Sequence, residues 1–335
     1  MTLHGPDIWH MLYTDADEFE LPDEYVDRAA QAGIHIDKVG GHDQAEIAAY
    51  GEHCNGMFLF RARIDDALLA ALPNCRHLAR IGTGYDLIDV EAARRRGVMV
   101  TYLPDFCTEE LSDHVMAFIL GFARRFPYIL HKARTNEWLK FGEIPTPHRL
   151  QAQTLGILGF GRSGQRTAEK ARAFGLQTLV WTRTIRPDEL AQAGARAATF
   201  EEVLGCDYVS IHLPLTDATA GLIGRKELSL LKPEAVLINI SRGAIVDTDA
   251  LVEALQSGQL AGAGLDVVVP APLPADHPLW SIPTVWLTSH TAADSLEAKN
   301  EALSTVFGDV IRVRNGRLPV YPVPELRGAA IGGLQ

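Results

Sequence analysis

The chain has 335 residues, 47% hydrophobic and 22% charged, an ordinary globular composition with length for about two domains. Its 42 acidic against 31 basic residues give a net charge of −11, a field that repels nucleic acid and anionic membrane surfaces. The four cysteines, Cys54, Cys75, Cys107 and Cys206, form no CxxC pair and no metal-ligand spacing, so no disulfide framework or zinc site is indicated and a reducing cytoplasm is expected. The first residues contain no basic stretch leading into an apolar one, and the longest strong apolar run, Val115–Ala123, is about half a membrane span.

In chain order, short apolar runs at Ile8–Tyr13, Met57–Phe60, His77–Ile81 and Val98–Tyr102 alternate with Ala-rich stretches of helical spacing such as Asp65–Ala71 and Asp89–Arg96. This alternation predicts β-α units on a parallel sheet. Thr108–Phe126 follows, acidic at its start, apolar in the middle and basic at its end, which suits a connecting helix that complements its own dipole. A second series, Thr154–Gly159, Thr178–Trp181, Tyr208–Leu213, Val236–Ile240, Ala263–Val267 and Val285–Thr288, predicts a six-stranded doubly wound domain. A last helix is expected at Ser295–Arg314, and the Pro- and Gly-containing tail Pro319–Gln335 reads as partly disordered.

Directly after the strand at Thr154, the chain reads Gly159-Phe160-Gly161-Arg162-Ser163-Gly164 and continues into a helix-compatible stretch, Gln165–Phe174. The glycines permit a tight turn and a close backbone approach to a pyrophosphate, while the helix start offers free N–H groups and partial positive charge. Alone the motif is only a tight turn; between strand and helix, at the head of the alternation, it reads as a dinucleotide site. The next strand usually ends in a carboxylate for the ribose of NAD, but here the segment is Thr182-Arg183-Thr184. A hydroxyl and a guanidinium suit a ribose phosphate, so NADP(H) is expected to be preferred, with NAD(H) as the other reading if Arg183 is a plain surface residue.

Three further stretches, Ile81-Gly82-Thr83-Gly84-Tyr85-Asp86-Leu87-Ile88-Asp89, Asn239-Ile240-Ser241-Arg242-Gly243-Ala244-Ile245-Val246-Asp247 and Leu287-Thr288-Ser289-His290, resemble signature segments of the D-isomer-specific 2-hydroxyacid dehydrogenases. His212-Leu213-Pro214-Leu215-Thr216 and Asp276-His277-Pro278-Leu279-Trp280 resemble that family too, and order and spacing match over nearly the whole chain. The resemblance implies an α/β fold of two Rossmann-like domains. A doubly wound NAD(P)-binding domain would span 105–294, and a flavodoxin-like substrate domain would combine 1–104 with 295–335. It implies an oxidoreductase in which a 2-oxo acid takes a hydride from NAD(P)H, with Arg242 and His290 as the catalytic pair. An arginine stays charged and donates in a planar fork to a carboxylate, and an imidazole delivers a proton near neutral pH. In isolation an Arg-Gly is usually a surface turn and a histidine usually structural.

By the same resemblance Gly82, Thr83 and Gly84 would meet the substrate carboxylate in an inter-domain cleft, and Thr108 would lie near the nicotinamide or phosphates. Arg162 and Ser163 would meet the pyrophosphate, and His212, Leu213 and Pro214 would line the adenine side, with Ile240 beside the cofactor. Asp266 would hold the nicotinamide carboxamide, or else merely cap a turn. Members of the family usually form homodimers, for which the helix Leu111–Phe122 with Trp138 and Phe141 offers an apolar surface unless it packs within one chain. The first-domain loop Phe60-Arg61-Ala62-Arg63-Ile64 carries two arginines that could attract a second acidic group on the substrate, with Arg61 as the candidate contact, although such arginines are more often solvated or pair with phosphate. A small glyoxylate- or hydroxypyruvate-like acid is the default substrate.

One position departs from the family. Five residues after Asp266, where a glutamate usually supports the catalytic histidine, the chain carries Ala271. Without that carboxylate the proton affinity of His290 is expected to fall towards or below about 6.5, lowering the pH optimum of reduction. Three readings follow: an active reductase whose histidine is oriented by another group, an altered reaction, or a non-catalytic dinucleotide-sensing dimer.

Overall fold

The structure, a computed structural model, describes residues 8–17 and 19–328. The chain divides into two compact units, one made of the residues up to Phe106 together with those from Ser295 onward, the other of Cys107–Asp294.

The first unit is built on five parallel strands, β1 (Trp9–Tyr13), β2 (Ile34–Lys38), β3 (Gly56–Leu59), β4 (His77–Arg80) and β5 (Met99–Thr101), in the order β2-β1-β3-β4-β5. This is the flavodoxin-like order. Successive side chains alternate between two cores: Leu12 joins Met57, Leu59 and Leu78 on one face, while Met11 and Tyr13 join Phe58 and Ala79 on the other. The helix Leu296–Arg314 covers the second face with Leu303, Phe307 and Val310, and Ser295 caps it by accepting from the Ala298 N–H. Four apolar runs are expected in this unit and five strands are present among the described residues. The fifth, β2, has the sequence IHIDK, whose half-exposed polar positions on a sheet edge hide it from an apolar-run criterion. Of the tail expected to be disordered, the described part docks: Pro322 bridges Thr101, Val323 is buried and donates to Val100 O, and buried Asp309 accepts from the Val320 and Tyr321 N–H groups. Residues 329–335 of that tail lie outside the described residues.

The second unit carries seven parallel strands: β6 (Thr154–Leu158), β7 (Gln177–Trp181), β8 (Ala195–Ala197), β9 (Tyr208–Ile211), β10 (Val236–Asn239), β11 (Gly262–Leu265) and β12 (Val285–Leu287). Their order, β12-β11-β10-β9-β6-β7-β8, starts in the middle at β6, runs outward through β7 and β8, then returns to the other side of β6 with β9. The crevice at the carboxyl ends of β6 and β9 is therefore the topological switch point, where ligands of such sheets bind. Six strands are expected and seven found; β8 is three residues of Ala-Arg-Ala at the sheet edge, with no β-branched or aromatic residue to mark it.

The helix expected over Thr108–Phe126 stops at Ala123, and Arg125, at φ 59, turns the chain into a second helix, Phe126–Arg134. Its apolar face is spent inside the unit: Val115, Phe118, Ile119 and Phe122 are buried, and Trp286 packs against Phe118 and Phe122. Trp138 and Phe141 stay fully exposed. All four cysteines are buried thiols, and no helix among the described residues is long and apolar enough to cross a membrane.

Candidate active site

At the switch point the motif glycines are positioned by close contact. Gly159 has φ +97, and a Cβ there would lie 2.8 Å from the carbonyl oxygen of His212 on the neighbouring strand end. A Cβ on Gly164 would lie 2.5 Å from Gly159 O, so only glycine lets the helix Arg162–Ala173 approach the strand. Gly161, the residue before that helix, faces open space. Phe160 is buried and fixed by the Gln165 amide, which donates to its carbonyl and to Glu189. Arg162 is exposed. The geometry fits an extended anion: a tight turn, an open glycine and a helix of 12 residues beginning beside it.

Ser163 is tied to His212. The hydroxyl lies 3.0 Å from His212 Nδ1, and His212 Nε2 lies 2.9 Å from Ser210 Oγ. Burial pulls the His212 pKa down to about 3, so the ring is neutral and has a single N–H, which it gives to one serine while accepting from the other. Leu213 beside it is buried and Pro214 exposed. At the end of β7, Thr182 is half-buried, its hydroxyl 3.5 Å from the Thr184 carbonyl, whereas Arg183 and Thr184 are exposed. Arg186 pairs with Glu189 at 3.2 Å, but Arg183 forms no ion pair among the described residues.

The ends of β10, β11 and β12 hold a second group. Buried Asn239 accepts from the Ser241 N–H and donates to Arg242 O at 2.9 Å, shaping the turn that presents Arg242; the Ser241 hydroxyl donates to Leu213 O. Arg242 is half-buried, with Nη1 donating to Ser241 O at 2.9 Å, and Ile240 is buried. Asp266, after β11, is 2% exposed. Its carboxylate accepts from the Thr288 hydroxyl at 2.6 Å and from the N–H groups of Thr291 and Ala292, and its carbonyl accepts from the His290 N–H at 2.9 Å. Three consecutive backbone donors thus converge on one residue, and they hold His290 at φ 58, a left-handed conformation that costs about 1–3 kcal/mol in a non-glycine residue. These bonds make Asp266 the cap of the turn that carries His290.

His114, on the helix Thr108–Ala123, lies 3.0 Å from Thr288 Oγ1 through Nε2. Because the Thr288 proton goes to Asp266, the His114 Nε2 must be the donor. Burial lowers the His114 pKa, against the opposing charge of Asp266. Thr108, first residue of the same helix, is half-buried and accepts through its carbonyl from Ser112. His114 and Ser210, which support these groups, have no place in the sequence reading, and Asn239 and Thr288 figure there only as members of matching segments. For Ser210 a signal existed: it stands two residues before His212 in an otherwise apolar strand, hence on the same face.

In the first unit, Gly82, Thr83 and Gly84 follow β4. Gly82 has φ +154, the Thr83 hydroxyl donates to Leu103 O at 2.8 Å, and Arg80 Nε donates to Gly84 O at 2.9 Å. Arg61 is exposed after β3, its N–H bonded to the buried carboxylate of Asp15 at 2.9 Å, and both Arg61 and Arg80 flank the Phe60 ring. Arg80 and Asp15 shape these loops and are not evident from the sequence reading. Ala271 is exposed in the loop after β11.

Comparison with known proteins identifies the family. A family model described as the NAD binding domain of D-isomer specific 2-hydroxyacid dehydrogenases matches residues 116–292. The glyoxylate reductase of Thermococcus litoralis is 39% identical over 263 residues, 77% of this chain and 79% of that protein. The NADPH-dependent glyoxylate/hydroxypyruvate reductase of Sinorhizobium meliloti, solved with NADP and malonate, superposes with a TM-score of 0.82 at 30% identity, covering 95% of this chain and 97% of that one. The D-lactate dehydrogenase of Aquifex aeolicus, solved with NAD and lactic acid, gives 0.83 at 25% identity, covering 91% and 96%. The chain therefore belongs to the D-isomer specific 2-hydroxyacid dehydrogenase family and is an oxidoreductase that couples a nicotinamide dinucleotide to the interconversion of 2-oxo and 2-hydroxy acids.

Proposed function

We propose that the enzyme is an NADPH-preferring reductase of a small 2-oxo acid, of glyoxylate or hydroxypyruvate size, giving the D-2-hydroxy acid. The observation that carries the cofactor preference is Arg183, exposed at the end of β7 where a carboxylate would select NAD. Gly159, Gly161, Arg162, Ser163 and Gly164 hold the pyrophosphate in this reading, Thr182, Arg183 and Thr184 the ribose phosphate, and His212, Leu213, Pro214, Ile240, Thr108 and Asp266 the remainder. The dinucleotide, when bound, supplies the hydride. Arg242 holds the substrate carboxylate and polarises the 2-oxo group, and His290 delivers the proton that the nascent alkoxide needs. In the first unit, Gly82, Thr83, Gly84 and Arg61 are the proposed substrate contacts. The fully exposed Trp138 and Phe141 support a homodimer, and the buried thiols a cytoplasmic location.

The test is a set of initial rates with NADPH and NADH against glyoxylate, hydroxypyruvate, pyruvate and bulkier 2-oxo acids. The Arg183→Ala variant is expected to lose about 10- to 100-fold in kcat/KM for NADPH and little for NADH, the loss of one or two charge-assisted hydrogen bonds. Equal or better kcat/KM with NADH, or unchanged NADPH affinity in the variant, overturns the preference. Tight cofactor binding without turnover of any acid would favour the dinucleotide-sensing alternative.

Ala271 bears on the rate. A carboxylate at this position is expected to stabilise the imidazolium of His290, so Ala271→Glu should raise kcat by about tenfold and shift the optimum for reduction to higher pH. A pH-rate profile that superposes on the parent's would show that another group already does this work.

A further inference from the structure

We propose that His10, His35 and Asp37 form a binding site for a divalent transition-metal ion of the Zn2+ class, on strands that carry none of the residues assigned to the reaction. His10 and His35 stand directly opposite each other in the parallel pair β1-β2, and Asp37, two residues beyond His35, shares its face. One ligand atom from each residue lies within 4.8 Å of the others. His35 Nε2 is 3.1 Å from one Asp37 oxygen and His10 Nδ1 is 3.9 Å from the other, while the two imidazole centroids are 5.4 Å apart. Two ligands about 2.0–2.1 Å from a tetrahedral ion sit roughly 3.3 Å from each other, so the triangle closes on an ion with small side-chain rotations.

The donor set is selective. Two imidazoles and one carboxylate suit Zn2+, Co2+, Ni2+ or Cu2+, whereas Ca2+ and Mg2+ favour oxygen ligands throughout. Three protein ligands leave a fourth position to water, the pattern of an exchangeable rather than a closed structural site. Access is open, because the side chains of His35 and Asp37 are 50% and 45% exposed and that of His10 17%. No spacing in the sequence discloses the site, since its ligands come from two strands separated by a helix.

The probe is Zn2+ alone, titrated by calorimetry into the full-length, tag-free protein after chelator treatment, with Co2+ absorption as a spectroscopic check. One equivalent per chain is expected, with four-coordinate Co2+ bands in the visible. The variants His35→Ala and Asp37→Asn should each weaken binding at least about tenfold, and Zn2+ should raise Tm in the parent but not in the variants. Metal-free variants should keep the parent's Tm and 2-oxo acid reductase activity, which separates loss of a ligand from loss of fold. No saturable uptake, or equal uptake by a variant combining His35→Ala and Asp37→Asn through others of the 12 histidines, overturns the site and leaves the cluster an ion pair.

Discussion

Exchanging His290 for asparagine is expected to lower kcat for 2-oxo acid reduction by about 10²–10⁴, with dinucleotide affinity unchanged, as measured by steady-state rates and cofactor fluorescence titration. Asparagine is the informative replacement because it tolerates the left-handed backbone that His290 adopts at φ 58, whereas alanine adds strain to the loss of chemistry. The loop stays in place in either case, since the N–H groups of residues 290–292 remain bonded to Asp266. Arg242→Ala should lower kcat/KM by about 10²–10³ and raise KM, because the guanidinium acts on the carboxylate in the ground state and on the developing alkoxide afterwards. Arg242→Lys should recover little of this, as a point charge does not replace the planar fork. A His290→Asn enzyme whose kcat stays within about threefold of the parent removes the imidazole from the proton transfer.

The legible part of this molecule is where function demands a local pattern. The segment Gly159–Gly164 is readable because a tight turn, an open glycine and a close helix must follow one another within six residues, and the structure uses the three glycines in those three ways. The apolar strands of both sheets are equally readable, being buried on both faces. The edge strands β2 and β8 are not, because their polar or Ala-rich sequences carry no such burial signal. Least legible is the support behind the proposed catalytic pair. Asp266 and Thr288 are 22 residues apart and His114 and Thr288 are 174 apart, so no local pattern announces the chain from His114 through Thr288 to Asp266 that steadies the His290 loop. Each of those buried acceptors would cost about 1–3 kcal/mol if left without its donor, and only tertiary structure shows which partner each one finds.

Lowering the pH from 7 to 5 is expected to destabilise each unit by about 2 kcal/mol through one buried histidine apiece. His77 in the first unit is wholly buried, with Nε2 2.9 Å from Thr101 Oγ1 and Nδ1 lacking a hydrogen-bond partner among the described residues, and burial pulls its pKa down to about 3; His212 in the second unit is held at about 3 for the same reason. Both folded values lie below the unfolded value of about 6.5, so between these limits the unfolded chain binds one more proton per histidine. The stabilisation is complete above about pH 6.5 and is lost as the pH falls towards 3, with a slope of about 1.4 kcal/mol per pH unit for each group. At pH 5 this corresponds to a drop in Tm of roughly 4–8 °C for domains of this size. Carboxylates held low by cations, such as Glu109 beside Arg166 and Lys170, keep their contribution until about pH 4 and do not enter this window. Calorimetric scans of His77→Gln and His212→Asn across pH 5–7 isolate the two terms, since the remaining histidines are common to all three proteins. Each variant should show a shallower fall in Tm than the parent; parallel slopes would mean that these rings titrate alike in the folded and unfolded chain. For His212 protonation in the folded protein also has a functional reading: it gives both ring nitrogens a hydrogen and ends the acceptor role towards Ser163 or Ser210, so dinucleotide affinity should hold from pH 7 to 5 and weaken only as the pH approaches about 3.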